Sequence, residues 1–353
     1  MKKNDLSGKV RIWVMAPAAS LAVFLCAGCW GNGPDSENIR LSGDALIDSL
    51  LKVAYAEPDN LAVNIELGRV FVEKAGQAGT EAERLELFDK AEDFYVKALR
   101  LDSCNFRYAS ELADVHIELM QSEKALRVLQ RAGACWPDSL NVQLSLADMQ
   151  YLMESYGESN ATLKRILAKN PYNAEAHYLM GRNLEETKDT LGAINSFQTA
   201  VEENPELLDA HIQLGLLFDK KRNPLALKYY DNVLRLDTLN FDALFNKGWY
   251  YHQRGKEAEM LRYYREAAIK HPDRPEPHFQ MGLYYYDRKR YDLSRENLDR
   301  GIAVNAMACP GCFYYRGKIS QAEGDLTRAR EDFEQAVALD PGFEEAKKEL
   351  GEK

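Results

Sequence analysis

The sequence predicts an all-α fold made of a tandem array of two-helix repeats, and three ladders of residues predict it. Small side chains recur every 33 to 35 positions after a first interval of 45, at Gly68, Ala113, Ala147, Gly181, Gly215, Gly248, Gly282, Gly317 and Gly351. A second ladder runs through Ala98, Ala132, Ile166, Ala200, Val233, Ala267, Gly301 and Ala336. A third, of bulky side chains, is Tyr95, Leu129, Leu163, Phe197, Tyr230, Tyr264, Leu298 and Phe333. Three ladders that keep one period indicate a repeat architecture.

The physical chemistry of each ladder assigns it a place in the repeat. A period of this length holds two antiparallel helices, and a small residue in the first helix lets the second approach closely. The bulky residue then fills the space between them. Proline closes many periods, because it has no N–H and clashes with the preceding helical turn; these are Pro137, Pro171, Pro205, Pro272 and Pro341. A single repeat cannot bury its apolar face, so stacking must supply most of the stability.

This register resembles the tetratricopeptide repeat, a helix-turn-helix unit of 34 residues, over about residues 61–353. The resemblance implies a right-handed superhelical solenoid of about eight repeats that binds proteins rather than catalysing a reaction. The eight repeats would occupy residues 61–343 and start near Leu61, Phe106, Leu140, Ala174, Leu208, Phe241, Pro275 and Pro310.

Three segments around the array complete the predicted organisation. Residues 41–60 are predicted to form an N-terminal capping helix that is closed by Pro58, and residues 344–353 a polar C-terminal capping helix. The first repeat carries about eleven extra residues around Gly76–Arg84, and we expect them to lengthen the connection between its helices.

The N-terminus predicts a lipid anchor. A basic segment is followed by an uncharged apolar stretch over residues 12–25, which is the size of a signal-peptide core and too short to span a bilayer comfortably. The sequence around Cys29, Leu-Cys-Ala-Gly-Cys, resembles the bacterial lipoprotein signal. The resemblance implies that residues 1–28 are removed, that Cys29 is lipidated and that residues 29–40 form a flexible tether. Because Trp30 stands where an inner-membrane retention signal has Asp, the outer membrane of the bacterial envelope is favoured.

Charge and missing motifs exclude several classes of function. The chain has a formal net charge of −10, which argues against binding nucleic acid and against polybasic docking on anionic lipid. No phosphate-binding loop, zinc-protease motif or nucleophile elbow occurs in the sequence. His177, His211 and His278 share one repeat position, which indicates packing rather than metal binding. We therefore expect no catalytic residue, no metal and no cofactor.

The cysteines predict disulfides in an exported chain. Cys104 precedes the first helix of the second repeat and Cys135 ends its second helix, so an antiparallel pair would bring them together. The alternative is two buried free thiols. Cys309 and Cys312 have the spacing of a local disulfide, and a redox function there remains a second possibility.

The resemblance also implies a binding groove, because the first helices of such repeats line a concave face. The residues that this register assigns to it are Tyr178, Arg182, Ile212, Leu216, Phe245, Trp249, His252, Phe279, Leu283, Tyr286 and Tyr314. Acidic residues at its edges (Asp209, Asp242, Glu276 and Asp287) would frame an apolar peptide that is extended or helical. The alternative is that these aromatic side chains pack between repeats.

The sequence thus predicts a membrane-anchored scaffold or adaptor for protein partners in the cell envelope. Two other functions stay open at this point. One is the capture of nutrients or glycans at the cell surface, and the other is a thiol-redox accessory that uses Cys309 and Cys312.

Overall fold

The predicted all-α repeat fold is confirmed. The structure, a computed structural model, describes residues 44–351, and this part of the chain contains eighteen α-helices and no strand. Their bounds are α1 Ala45–Ala56, α2 Leu61–Gly76, α3 Glu81–Leu101, α4 Phe106–Glu118, α5 Ser122–Cys135, α6 Leu140–Leu152, α7 Tyr156–Lys169, α8 Ala174–Glu186, α9 Thr190–Glu203, α10 Leu208–Lys220, α11 Leu225–Leu236, α12 Phe241–His252, α13 Glu257–Lys270, α14 Glu276–Asp287, α15 Tyr291–Asn305, α16 Pro310–Glu323, α17 Leu326–Leu339 and α18 Glu344–Leu350.

The described chain forms two compact units that divide within α9, between Ala193 and Ile194. In the N-terminal unit, α2 packs on α3, α4 on α5 and α6 on α7. In the C-terminal unit the corresponding pairs are α10 with α11, α12 with α13, α14 with α15 and α16 with α17. The predicted signal segment, Cys29 and the tether lie outside the described residues. None of the described helices is both long enough and apolar enough to cross a membrane.

The small residues of the first sequence ladder contact the bulky residues of the third within a repeat. A Cβ atom added to Gly68 would lie 2.9 Å from the ring of Tyr95, and one added to Gly317 would lie 2.8 Å from the ring of Phe333. Every member of the bulky ladder is at most 3% exposed. A larger residue at the small positions would therefore push the two helices of a repeat apart.

Asparagine side chains begin many of the first helices. The side-chain oxygens of Asn60, Asn105, Asn173 and Asn240 each accept a hydrogen bond from the backbone N–H three residues later. Such a cap satisfies one of the N–H groups that a helix start leaves without a partner. The helix starts are thus fixed locally as well as by stacking.

In every repeat after the first, the turn between the two helices contains a left-handed residue. Non-glycine residues with positive φ in the described chain are Met120, Glu154, Lys188, Arg222 and Lys289, with φ between 54° and 65°. Gly255 and Gly324 occupy the same place in the repeats that start at Phe241 and Pro310. The backbone there reverses direction within three residues, which requires this conformation whatever the side chain.

The expectation that the extra residues of the first repeat lengthen a loop is wrong. The connection between α2 and α3 spans only residues 77–80, whereas α2 has 16 residues and α3 has 21. The insertion extends the helices instead, since Glu, Ala and Arg dominate its second half and favour helix. Thr80 fixes the new start by accepting a hydrogen bond from the N–H of Glu83 at 3.2 Å.

Short helices flank the pairs at both ends of the described chain. Ile47 of α1 is 3% exposed and packs with the core of α2 and α3, and Asp44 forms an ion pair with Lys74 at 2.6 Å. At the other end, Ala346 of α18 is fully buried against Phe313 and Ala336. Both helices cover apolar surface that the adjoining pair would otherwise expose.

Candidate functional site

The residue that follows each of the first eight small-ladder positions lies on the first helix of its repeat, and its chemistry differs between the two units. In chain order these residues are Arg69, Asp114, Asp148, Arg182, Leu216, Trp249, Leu283 and Lys318. The four that belong to the N-terminal unit are charged. Three of the four in the C-terminal unit are apolar, so the two units offer different surfaces at the same repeat position.

Arg182 is held in place by its own unit. It forms an ion pair with Asp148 at 2.8 Å, and its guanidinium lies 3.9 Å from the centroid of the Tyr151 ring. The Tyr151 hydroxyl donates a hydrogen bond to Glu186 at 3.0 Å, and Tyr178 lies 5.8 Å from Arg182. The predicted groove residues Tyr178 and Arg182 are therefore part of an internal network, and Arg182 is only 16% exposed.

Asp114 occupies the same repeat position as Asp148 but forms no ion pair with any described residue. Its Oδ1 atom is buried and has no hydrogen-bond partner within residues 44–351. Burial raises the pKa of this carboxyl to about 7, and the neighbouring carboxylates of Glu111 and Glu118 add to the rise. Arg69, at the equivalent position one repeat earlier, is engaged by Glu111 at 2.8 Å.

Trp249 is the most open of the predicted groove residues in the C-terminal unit. It is 37% exposed, and its ring meets that of His252 edge-on at 5.3 Å between centroids. Leu216 and Leu283, at the equivalent position of the adjoining repeats, are half-buried. Ile212 is 9% exposed and thus contributes to the core of its repeat rather than to a free surface.

The remaining predicted aromatic residues of this face are half-buried between neighbouring helices. Phe245 stacks on Phe241 at 5.5 Å and lies 5.5 Å from the ring of Tyr264. Phe279 and Tyr286 contact Tyr315 at 6.0 and 5.1 Å, and Tyr314 contacts Phe333 and Phe343 at 5.8 and 5.1 Å. These rings fill space between repeats and also present an edge to the face.

Acidic side chains border this apolar face. Asp209, Asp242 and Asp287 are exposed. Glu276 forms an ion pair with Arg274 at 2.7 Å. The face of the C-terminal unit thus combines an apolar centre with carboxylates at its edge, of which Glu276 is paired with Arg274 and Asp242 lies close to the same guanidinium.

Comparison with known families agrees with this geometry. Two family models, both described as tetratricopeptide repeat, match residues 215–275 and 310–343. The chain contains tetratricopeptide repeats. The matched segments include Trp249, Phe245 and Tyr314. The family models therefore support the repeat register that assigns these residues to a first helix.

Curated relatives match only parts of their own length. Hsp70-Hsp90 organizing protein 1 of Glycine max is 22% identical over 236 residues, which cover 64% of this chain and 40% of that protein. Superkiller complex protein 3 of Homo sapiens is 30% identical over 137 residues, or 37% of this chain and 9% of that protein. The chain therefore spans less than half of either relative.

Solved structures of tetratricopeptide repeat proteins share the fold. The type IV pilus biogenesis factor PilW is 20% identical, with a TM-score of 0.51 over 60% of this chain and 97% of PilW. The C-terminal part of a repeat protein from Cytophaga hutchinsonii is 18% identical, with a TM-score of 0.50 over 70% of this chain and 99% of that chain. At this identity the similarity shows the fold alone.

Disulfides join both predicted cysteine pairs in the structure. Cys104 and Cys135 link the two ends of one tetratricopeptide repeat, with Cα atoms 5.7 Å apart, and the indole of Trp136 donates a hydrogen bond to the Cys104 carbonyl at 2.5 Å. Cys309 and Cys312 are linked at a Cα distance of 5.2 Å and are 5% and 0% exposed. They pack against other buried apolar side chains at the start of α16.

Two of the three histidines at the shared repeat position form a hydrogen bond to the loop that precedes their helix. The ring of His177 is hydrogen-bonded through Nε2 to the carbonyl of Pro171 at 2.8 Å, and that of His211 to Pro205 at 3.0 Å. The side-chain amide of Asn64 donates a hydrogen bond to the carbonyl of Pro58 at 2.9 Å. These side chains tie the first helix of a tetratricopeptide repeat to the preceding loop. The described residues contain no group of three side chains arranged to hold a metal ion.

Proposed function

We propose that this protein is a non-catalytic scaffold that binds an apolar peptide segment of a partner protein on the first-helix face of its C-terminal unit. The observation that carries the proposal is the exposed Trp249 between half-buried Leu216 and Leu283. Exposed apolar clusters commonly mark interaction sites, and tryptophan often supplies much of the binding energy.

The surroundings of Trp249 support one class of peptide. The half-buried rings of Phe245, Phe279 and Tyr286 are already positioned by packing, so they lose little conformational freedom when a partner binds. The acidic edge favours basic residues on either side of the apolar segment. A partner segment of this kind is extended or helical, as in other groove-binding complexes.

Replacement of Trp249 by alanine tests the site. We expect Trp249→Ala to weaken partner capture in crosslinking pull-downs from envelope fractions by ~2 kcal/mol, or roughly 30-fold, because it removes the central anchor. Helicity should change little and melting should fall only modestly, since more than a third of the residue is exposed. The matched control is Tyr172→Ala, which removes an aromatic ring that is 71% exposed in a turn outside this face.

Two results would contradict the site. If Trp249→Ala lowers the melting temperature by the equivalent of ~3–5 kcal/mol, the tryptophan is a structural residue. If capture by the two variants is the same, the face does not bind the partner.

We further propose that the protein works in the bacterial envelope, held to the membrane by lipid on Cys29. The sequence that ends in Cys29 and the acidic mature chain support this proposal, and disulfides are typical of exported proteins. A Cys29→Ser variant should appear in the soluble envelope fraction, whereas the parent should begin at residue 29 and carry lipid by mass spectrometry. A parent chain whose mature N-terminus lies elsewhere would exclude lipidation at this cysteine.

The redox alternative finds no support in the burial of Cys309 and Cys312. Thiol–disulfide exchange needs an attacking thiolate to reach one sulfur in line with the bond. At 5% and 0% exposure, neither cysteine offers such access. A stabilising role for this disulfide is the simpler interpretation.

A further inference from the structure

We propose that the outer face of α13 is a second binding surface, distinct from the first-helix face, and that it binds an acidic amphipathic helix of a partner protein. We call it the α13 cleft. It consists of two adjoining hollows of about 400 and 320 Å³, which share Arg265 and Ile269.

The first hollow follows one stripe of α13. Its residues Ala258, Arg262, Arg265 and Ile269 are spaced by four, three and four positions, which places them on one side of the helix. All four are exposed, and Ile269 is 76% exposed. An isoleucine this open stabilises nothing within its own unit, whereas a partner that covers it gains apolar contact.

The second hollow opens between α13, α14 and α15 and has an apolar floor. Met281 and Tyr285 form that floor and are 4% and 5% exposed. Leu293 lines one side, and His278 lies at the other end. Burial lowers the pKa of His278, and the nearby Arg300 lowers it further, so this ring is neutral.

The charge of the cleft opposes the charge of the chain. Arg262, Arg265, Lys270 and Arg300 line the two hollows, against two carboxylates, those of Glu266 and Glu296. The whole chain, by contrast, carries a formal net charge of −10. A local excess of cations on an acidic protein favours an acidic partner through charge complementarity.

Two of these cations are without a partner within the described chain. Arg265 and Lys270 form neither an ion pair nor a side-chain hydrogen bond with any described residue. Arg300 is held by Glu296 at 2.7 Å, and Arg262 lies 4.7 Å from the ring of Tyr263. Arg265 lies one turn before Ile269 on the stripe, and Lys270 follows Ile269 directly on the adjoining side of the helix, so two unpaired cations stand next to the apolar anchor and can meet carboxylates of a partner.

The shape of the cleft favours a helix over a flat surface. Its two hollows run along α13, a helix of 14 residues that is about 21 Å long at 1.5 Å per residue. The first hollow lies on α13 alone, whereas the second is a furrow between α13, α14 and α15 into which the ridges of a partner helix can insert, as in other helix pairs. A membrane surface would contact the exposed Ile269 and the arginine tips but would leave the Met281 and Tyr285 floor open.

Peptide selection on the full chain tests this proposal directly. A phage-displayed library of peptides of about 16 residues, long enough for four helical turns, is selected on the parent protein. We expect enriched peptides that carry Asp or Glu at helical spacing around Leu, Ile or Phe. Their affinity, measured by fluorescence anisotropy of synthetic copies, should fall at least about tenfold on an Arg265→Glu/Arg300→Glu variant, because both substitutions reverse the local charge.

Three further variants of the chain test whether the peptides bind at the α13 cleft. Ile269→Ser should weaken the same peptides without lowering the melting temperature. Arg330→Glu, on the exposed side of α17, should leave their affinity unchanged, and so should Trp249→Ala, which belongs to the first-helix face. Failure of the first-helix face would therefore not affect this test.

Two outcomes would overturn the α13 cleft as a protein-binding surface. One is that selected peptides lack acidic residues or bind the charge-reversed variant as tightly as the parent. The other is that the parent binds phosphatidylglycerol vesicles, that charge reversal abolishes this binding, and that no acidic peptide is selected. The second outcome would assign the same cations to a membrane surface.

Discussion

The carboxyl of Asp114 makes the N-terminal unit a test of how burial controls stability. Its pKa lies at about 7, against an ordinary value of 3.8, chiefly because of burial. Since each pKa unit corresponds to about 1.4 kcal/mol, the ionised form is disfavoured by up to about 4 kcal/mol, and we expect about 2–3 kcal/mol for a half-buried side chain. Asp114→Asn keeps the shape and removes the charge, so it should recover this free energy.

The sign of the pH dependence follows from proton binding. The folded state keeps the Asp114 proton to about pH 7, whereas the unfolded state loses it near pH 4. The folded state therefore binds more protons between these values, and the free energy of unfolding falls as pH rises through this window. Asp114→Asn should thus stabilise by about 2–3 kcal/mol at roughly pH 8, change little at roughly pH 4, and flatten the slope between them.

Urea unfolding followed by helicity, at several pH values, measures both effects. The matched control is Asp148→Asn, at the same position one repeat later, where the carboxylate pairs with Arg182 at 2.8 Å. Burial raises the pKa of this carboxyl as well, but its substitution also leaves a largely buried guanidinium without its ion pair. Asp148→Asn should therefore stabilise far less than Asp114→Asn at roughly pH 8. If Asp114→Asn is neutral or destabilising at roughly pH 8, the assigned burial of its charge is wrong.

Three other predictions concern the contacts within repeats. Gly215→Ala should lower the free energy of unfolding by about 1–3 kcal/mol in thermal melting, because the added Cβ would overlap the Tyr230 ring. Gly157→Ala is the control: the added Cβ has open space, and the free energy of unfolding should rise by about 0.5–1 kcal/mol. Removal of the Cys104–Cys135 disulfide by paired serine substitutions should cost about 3 kcal/mol for a closed loop of this length, and free thiols in the parent by non-reducing peptide mapping would contradict it. Replacement of both Cys309 and Cys312 by alanine should lower stability by about 1–2 kcal/mol and leave partner binding unchanged, whereas loss of a disulfide-exchange activity with an intact fold would instead favour the redox function.

The fold could be predicted from the sequence because two residue ladders report the same contact between helices. A small residue such as Gly68 and the bulky residue that fills its place, Tyr95, are both visible as ladders, and each constrains the other. The extra residues of the first repeat were harder to place, since their number does not reveal whether a loop or a helix takes them up. The composition after Thr80, which favours helix, was the signal that could have decided it.

The candidate site was only partly predictable for a physical reason. Repeat register places Phe279, Tyr286 and Trp249 on the same face, but it does not say how far the next repeat covers each ring. In the structure Tyr315, which the sequence analysis missed, covers Phe279 and Tyr286, while Trp249 stays open. Arg265 and Ile269 belong to no ladder, because the outer side of a second helix is free of packing constraints.

The left-handed turn residues bear on how such a chain can change over evolutionary time. Met120, Glu154, Lys188, Arg222 and Lys289 each hold a conformation that costs a residue with a Cβ about 1–2 kcal/mol, a cost that glycine avoids, as at Gly255 and Gly324. Each such turn is a separate position where one substitution to glycine would add stability without touching a helix face. Because these residues lie in turns rather than within helices, gains there can offset destabilising changes on the first-helix face. The array can therefore explore new binding surfaces while its fold remains above the threshold for folding.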